Sequence, residues 1–569
     1  MYYRKMRICC IVDLLLLTLM CGIFCCAKDD TLPLSDLRER LKVANGARGP
    51  DSQETVRVEV TGSGVLDLFA SELRLRGSHP VVQPHQDNEK NILCWNGEIA
   101  EDENDGVKLS RALTAVETVE ECAALFGTIE GPYAFVYYQA TSRRLFFARD
   151  PVGRRSLLIH KPSIANPYFL LASVSTGLDP ASEFEELSTD YIFCLELGKF
   201  FEMGDLPSAF DSCLTSLPRN STNGALYSQP TRVNTEMPPD DWPLIADLET
   251  PDYLLPAAED LITHLGRSVE LRVRDIPQPC PGAARLAVLF SGGIDCTIIA
   301  FLAHRYIPSD QPIDLLNVAF ENPRKLKNQA KKQSNVIQEA YMVPDRVTGL
   351  EEVEELRKLC PRVWNFVQVN VPYEEFQASR SLVESLMFPS RTVMDLVSQL
   401  SVWPSALYFA SRGKGVIRDS NSEPVPYTTP ARVLLNGLGS DELLGGYGRH
   451  RSAYNTGGWK GLIDELQLEI DRIPTRNLGR DDRVIACHGK ETRHPFLSLT
   501  LIDFLARLPV HLKVDPRVPP AAGDKMLLRL AARKLGLVEA SSRKKRAMQF
   551  GSHSAKMDGE RRGDVAIDL

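Results

Sequence analysis

Three regimes of hydrophobic patterning divide this chain. From about residue 21 to residue 200, short apolar runs alternate with turns, and Gly131–Tyr138 and Arg144–Asp150 are aromatic and β-rich enough to predict neighbouring strands. From about 203 to 255 the chain is rich in Pro, Ser, Thr and Asn, notably between Asn220 and Pro239, which predicts a linker or irregular segment. From about 256 to 545 the period changes. Strand-like runs at Leu286–Phe290, Leu315–Phe320 and Val433–Leu435 are separated by helical spacing, the pattern of an α/β domain with a parallel sheet. The residues from about Gly551 are polar and predict a disordered tail. No internal repeat is present.

Composition narrows this picture in two ways. A chain of 569 residues is too long for one hydrophobic core, so two or more domains are expected. A net charge of -8 argues against a general nucleic-acid binder. Of the 13 cysteines, Cys9, Cys10, Cys21, Cys25 and Cys26 crowd the start and the rest are scattered singly, with no CxxC pair or zinc spacing. That scatter suits a reducing compartment. Against it stands the N-terminus. Arg4, Lys5 and Arg7 precede an apolar run from Leu14 to Ala27, which has the form of a secretory signal and is too short for a stable membrane span. Asn220-Ser221-Thr222 is a glycosylation sequon of the kind that arises by chance.

The first candidate chemistry follows the run Arg285–Phe290. Ser291-Gly292-Gly293-Ile294-Asp295 comes at once, and Cys296 to Tyr306 then reads as an apolar-faced helix. A strand, a glycine turn and a helix N-terminus make an anion site, because glycines admit close approach and the backbone N–H groups and helix dipole favour negative charge. Ser291 adds a hydroxyl donor. Asp295 beside an anion calls for a bridging metal. A tight turn needing two glycines is the alternative, and the flanking strand, the helix and the acid weigh against it.

This SGGxD pattern resembles the N-type ATP pyrophosphatases, and a second motif selects among them. Asn436-Gly437-Leu438-Gly439-Ser440-Asp441-Glu442-Leu443-Leu444-Gly445-Gly446-Tyr447 resembles the SGEGSDExxGGY of asparagine synthetases. Asn477 to Arg483, Glu491 to Leu497 and Lys525 to Arg529 resemble that family's NLxRxDR, ExRxPFLD and KxxLR segments. Residue by residue, the resemblance implies an ATP/pyrophosphate site of Ser291, Gly292, Gly293, Asp295, Cys296, Gly437, Gly439 and Lys525. It implies an acceptor site of Ser440, Asp441 and Arg493, and magnesium at Asp295 and Asp441. Lys525 follows Asp524, an expected N-cap, and a cation in a first helical turn is reasonable where it meets phosphate.

The same family begins with a glutaminase whose first residue is a cysteine, and Met20-Cys21-Gly22-Ile23 has that motif. The thiol would attack the glutamine amide with its own α-amine as base. Arg48 to Asp51 resembles RGPD, and Ala148 to Gly153 resembles ARDPLG. Trp95 to Ile99 resembles the NGEI strand, which assigns Asn96 and Gly97 to an oxyanion hole. Asn104-Asp105 resembles the pair that holds the glutamine amine, and Arg74 or Arg76 would bind its carboxylate; spacing leaves both open. The segments Leu75-Arg76-Gly77, Pro312 to Phe320 and Lys545 to Gly551 resemble in particular the domain-containing branch of the family.

The resemblance implies an α+β N-terminal-nucleophile sandwich followed by an α/β doubly wound parallel-sheet ATP pyrophosphatase domain. The expected boundaries are a leader at 1–19, an amidotransferase-like domain at 20–202, a linker at 203–255, the ATP-binding domain at 256–550 and a tail at 551–569. The implied reaction takes glutamine, ATP with Mg2+ and a carboxylate acceptor, aspartate by resemblance, to asparagine, glutamate, AMP and pyrophosphate. Twenty residues ahead of Cys21 deny it a free α-amine. Translation from Met20, cleavage after Met20, or an inactive glutaminase each account for this. An ATP-dependent chain with scattered thiols favours an upstream start, and the cytoplasm, over secretion. Departures from the family supply a second hypothesis, a degenerate member that binds ATP or a protein partner without making asparagine. Leu438 stands where the motif has glutamate, Cys296 replaces a serine, and the family's arginine and Ser-Thr pair are absent before Trp403, where Leu400 and Val402 lie.

Overall fold

The computed structural model describes residues 21–49, 51–75, 82–98, 104–219, 227, 229–244, 251–321, 340–390, 402–418 and 423–543. Arg76, the sequon at Asn220 and the tail therefore lie outside the described residues. The chain forms two compact units. One takes the residues before Gln229 with Ser385–Pro389 and Leu478–Glu491; the other takes Gln229–Glu384, Ser390–Asn477 and the residues from Thr492.

The first unit is a four-layer sandwich of two antiparallel six-stranded sheets with helices outside. One sheet runs Glu185–Glu186, Leu158–His160, Phe169–Ala172, Gly22–Asp29, Gly64–Glu72, Ser52–Thr61 from edge to edge. The other runs Leu214–Pro218, Tyr191–Glu196, Arg144–Arg149, Tyr133–Gln139, Ile92–Gly97, His85–Gln86. Successive strand residues face opposite ways, and here both faces are covered. Ile23, Cys25 and Ala27 join Leu66, Leu68, Cys94, Val136 and Phe147 in one core cluster drawn from both sheets. Phe24 and Cys26 point outward and pack with Leu37 and Leu41 of the helix Ser35–Gly46. On the other outer face, Trp95, Phe135 and Tyr137 pack with Leu109, Leu113 and Phe126 of the helices Asp105–Thr114 and Val119–Phe126. Double coverage explains why Cys21–Ala27 is uniformly apolar: it is a central strand with no wet face.

The stretch from 203 is more ordered than its composition suggests. Leu206–Cys213 is a helix, and Leu214–Pro218 pairs antiparallel with Tyr191–Glu196 as the sheet's edge strand. Its Pro218 sits at the strand's end, where no ladder hydrogen bond is needed. A second departure concerns Leu478–Ala486. This charged helix, expected with the ATP-binding domain, is buried along its whole length within the first unit.

The second unit holds a seven-stranded sheet ordered Val425–Thr428, Lys414–Ile417, Trp364–Val371, Ile313–Phe320, Leu286–Leu289, Val433–Leu435, Glu491–Arg493. Leu286–Leu289 pairs parallel with Ile313–Phe320 on one side and with Val433–Leu435 on the other. Ile313–Phe320 pairs parallel with Trp364–Val371. Numbered along the chain, these four strands lie 3-2-1-4, the doubly wound order. Trp364–Val371, Lys414–Ile417 and Val425–Thr428 add an antiparallel meander at one edge. The strand order reverses beside Leu286–Leu289, and ligands of such sheets bind outside the carboxyl ends at that point. No helix of the described residues is long and apolar enough to cross a membrane.

Candidate active sites

Cys21 immediately precedes the strand Gly22–Asp29, the fourth of six in its sheet. Three backbone anchors fix it. The Gly22 N–H donates to Ser71 Oγ at 2.8 Å, the Ile23 N–H donates to Ser173 Oγ at 3.0 Å, and the Cys21 carbonyl accepts from Arg48 Nε at 3.3 Å. At the sulfur, the Leu73 N–H approaches to 3.5 Å and Gln83 Nε2 to 3.9 Å. Burial pushes the thiol up to about 12, and the carboxylates of Glu72, Glu491 and Asp105 add to the rise while the Leu73 N–H opposes it. The thiolate is thus disfavoured as the chain stands, the opposite of what a nucleophile needs.

The oxyanion-hole candidates lie on the strand Ile92–Gly97. Gln83 links this strand to Cys21, because its Oε1 accepts from the Trp95 N–H at 2.8 Å while its Nε2 faces the sulfur. Asn96 is buried, and its Nδ2 has no hydrogen-bond partner among the described residues. A buried donor left unsatisfied costs about 1–3 kcal/mol, so such a group is expected where a ligand completes it. A Cβ on Gly97 would meet the Trp95 ring at 2.4 Å. Arg74 is half-buried; its N–H donates to Asp51 Oδ2 at 2.9 Å and its Nε has no partner among the described residues. Asp105 opens the helix Asp105–Thr114, and Asn104 is its N-cap, accepting from the Val107 N–H at 3.1 Å. Asp105 is near enough to Cys21 to act on its charge, Arg74 follows Leu73, whose N–H meets the sulfur, and Asn96 and Gly97 follow Trp95, which Gln83 ties to Cys21. Sequence reading missed Gln83, Ser71 and Ser173, which carry no motif and act through side-chain hydrogen bonds to residues distant in the chain.

In the second unit, both glycine motifs occupy the switch point. Ser291–Gly293 follows Leu286–Leu289 and leads into the helix Ile294–His304; Asn436–Gly439 follows Val433–Leu435. Gly292 has φ of +80°, and a Cβ there would lie 2.5 Å from the Gly349 nitrogen, so only glycine fits. Asn436 is braced by its N–H on the Arg493 carbonyl at 3.2 Å and its Nδ2 on Thr492 Oγ1 at 2.6 Å. A Cβ on Gly437 would lie 2.7 Å from Asp295 Cβ, which shows how closely the two loops approach.

Lys525 joins these loops. Its Nζ lies 2.6 Å from Asp295 Oδ2, 2.7 Å from Asp441 Oδ1 and 2.9 Å from Ser440 Oγ. Burial opposes its charge, but Asp295 and Asp441 outweigh that and hold its pKa above the ordinary lysine value. The expectation that Asp524 caps the following helix is corrected. Asp524 ends the short helix Pro520–Gly523 and pairs with Arg451 at 3.0 Å. Lys525 itself takes the N-cap position of Met526–Lys534 with φ of +54°. A left-handed lysine costs roughly 1–2 kcal/mol, and it aims the side chain back at the loops. A Cβ on Gly446 would lie 2.4 Å from Lys525 Cε, so glycine keeps that path open.

The remaining predicted residues have defined places. Cys296 Sγ donates to the Gly293 carbonyl at 3.1 Å and lies 3.7 Å from Ser291 Oγ; burial pushes it up to about 11, a neutral thiol. Gly439 has φ of +99° and precedes the helix Ser440–Leu444. Arg493 is buried and donates from Nη1 to the Arg272 carbonyl at 2.6 Å. Among the described residues no cluster of three His, Cys, Asp or Glu is arranged to hold a metal. Two aspartates nevertheless fit magnesium, which is commonly held by one or two carboxylates with phosphate and water completing its shell.

Comparison with known proteins matches two family models, a glutamine amidotransferase domain over residues 20–192 and asparagine synthase over residues 454–566. Asparagine synthetase domain-containing protein 1 of Mus musculus is 34% identical, covering 95% of this chain and 97% of its own. The proteins of that name from Homo sapiens and Gallus gallus are 35% and 34% identical, covering 95% and 90% of this chain and 96% and 93% of theirs.

Proposed function

The chain belongs to the family of asparagine synthetase domain-containing proteins, and on that premise we propose that it hydrolyses glutamine and uses ATP to pass the ammonia to a carboxylate. The acceptor, by resemblance, is the aspartate side chain. The observation that carries this reading is the convergence of Lys525, Asp295 and Asp441 on two glycine loops at the switch point of a doubly wound sheet.

In the first unit, the Cys21 sulfur attacks the glutamine amide carbon. The developing oxyanion takes its hydrogen bonds from Asn96 Nδ2 and the Gly97 N–H. Collapse expels ammonia and leaves a thioester, which water cleaves to glutamate. Arg74 or Arg76 receives the glutamine carboxylate, and Asp105 its ammonium. The base is the α-amine of Cys21, so this half works when Cys21 is the first residue. In the second unit, Ser291, Gly292, Gly293, Gly437 and Gly439 cradle the pyrophosphate, with Cys296 at the loop's edge. Lys525 exchanges its aspartate partners for phosphate oxygens. Asp295 and Asp441 would hold magnesium, which when bound neutralises the departing pyrophosphate. Ser440, Asp441 and Arg493 line the acceptor side. The acceptor carboxylate displaces pyrophosphate from the α-phosphorus, and ammonia then displaces AMP from the acyl carbon.

Aspartate-dependent exchange of labelled pyrophosphate into ATP tests the reading. Exchange that needs aspartate supports it; no exchange with any amino-acid carboxylate sinks it. Leu438 favours the second reading, an ATP-binding member without amide synthesis, because a leucine cannot take up a proton from incoming ammonia. ATP binding without exchange would select that reading. The N-terminal mass of the cytosolic protein decides whether Cys21 is exposed as the first residue.

A further inference from the structure

Residues 478–486 lie more than 450 positions beyond Cys21, yet they pack in the unit that holds it. The connection runs through one arginine. Arg48 is buried; its Nε donates to the Cys21 carbonyl at 3.3 Å and its Nη2 donates to Asp482 Oδ2 at 2.7 Å. Asp482 is buried as well, and it is held from other sides. The Ser156 N–H donates to its Oδ2 at 3.1 Å, and Arg155 Nη1 lies 3.5 Å from its Oδ1. Arg155 also pairs with Glu491 at 2.8 Å. The next residue in the helix, Arg483, locks the helix in place by donating to the Leu386 and Met387 carbonyls, both at 3.0 Å, and to Glu186 at 2.6 Å.

We propose that Asp482 is a positioning residue for Cys21, acting through Arg48, so that the helix Leu478–Ala486 is part of the glutamine-hydrolysing machinery. The inference rests on Cys21 being the glutamine nucleophile. A guanidinium in this buried site needs a counter-charge. Asp482 supplies it and also sets the direction of the fork, leaving Nε aimed at the carbonyl of the nucleophile. The Gly22 N–H is held by Ser71 Oγ at 2.8 Å on the other side of the same peptide, so Arg48 and Ser71 together fix that peptide plane and the Cα–Cβ direction of Cys21. Removing the carboxylate frees Arg48 to seek another acceptor and releases one side of the plane. Displacements of about 1 Å at a reacting atom cost on the order of 100-fold in rate.

The test uses the full chain with Cys21 as its first residue and follows glutamate release. Asp482→Asn is expected to lower kcat by about tenfold or more while the KM for glutamine changes less than about threefold, because no glutamine contact is touched. Asp482→Glu, which restores the carboxylate, recovers most of the rate. Arg48→Lys, which keeps the charge and loses the fork, mimics Asp482→Asn, and the double variant is no slower than the slower single one. A kcat within about twofold of the parent in Asp482→Asn, or losses that multiply in the double variant, overturns the proposal. Should Asp482→Asn not fold, Arg48→Lys and Asp482→Glu carry the same comparison. If the parent itself releases no glutamate, the glutaminase reading has failed, and positioning is then read from the iodoacetamide alkylation rate of Cys21. An unchanged rate in Arg48→Lys overturns it; a rate altered by about threefold or more upholds it.

Discussion

The two candidate sites solve opposite electrostatic problems. Near Cys21 a donor stands waiting: Asn96 Nδ2 is buried without a partner among the described residues, and the thiol is held neutral by burial. Around Lys525 the charges are already spent on one another, with one ammonium between two carboxylates. On the proposed reading the first site is pre-arranged for a charge that appears only during reaction. The second is filled by its own ion pairs, which on the proposed reading a polyphosphate and its cation would replace. A buried lysine paired with two half-buried carboxylates is costly to break from one side only, so the second site should be fragile to single substitutions and the first tolerant of them in stability but not in rate.

Lys525→Ala strains that comparison hardest. It leaves Asp295 and Asp441 facing each other, and we expect a loss of about 3 kcal/mol in denaturant unfolding and of roughly 100-fold or more in pyrophosphate exchange. Asn96→Ala should show the opposite profile. Glutamine hydrolysis falls about 100-fold in kcat, while the unfolding midpoint holds or rises, because an unsatisfied donor is removed. Equal destabilisation by the two variants would erase the difference between the two sites.

The pH dependence of Cys21 sharpens the first half. With residues upstream of Cys21 attached and its thiol pushed up to about 12, the thiolate fraction at pH 7 is on the order of one in 100,000. Alkylation should therefore be slow at pH 7 and rise about tenfold per pH unit through pH 11. A plateau near pH 8 would show that the nucleophile is activated without a free amine. The smallest effect is expected from Cys296→Ser. The hydroxyl can take over the bond to the Gly293 carbonyl, and pyrophosphate exchange should change less than about threefold; a larger change would place this side chain on the nucleotide.

Much of the local geometry of both candidate sites was legible in linear sequence, for a common reason. The SGGxD loop, the NGLGSD loop and Asn96-Gly97 each depend on backbone geometry within a few residues, and glycine spacing records such geometry directly. The uniform apolarity of Cys21–Ala27 likewise recorded a strand covered on both faces. The strand at Leu214–Pro218 was hidden, because an edge strand with half-exposed residues has no hydrophobic signature.

By itself the sequence determined the family, the two fold classes, the order of the motifs and the identity of the nucleophile candidate, all properties of local pattern. Only the tertiary structure decided the rest. It placed Leu478–Ala486 in the first unit, turned Lys525 into a left-handed clamp between two aspartates, and put Gln83 between Cys21 and the strand of Asn96. These depend on partners 12 to 461 positions apart: Trp95 and Gln83 are 12 apart, and Cys21 and Asp482, joined through Arg48, are 461 apart. A charge in sequence reads as solvated surface until the fold supplies the buried counter-charge that makes it a bond.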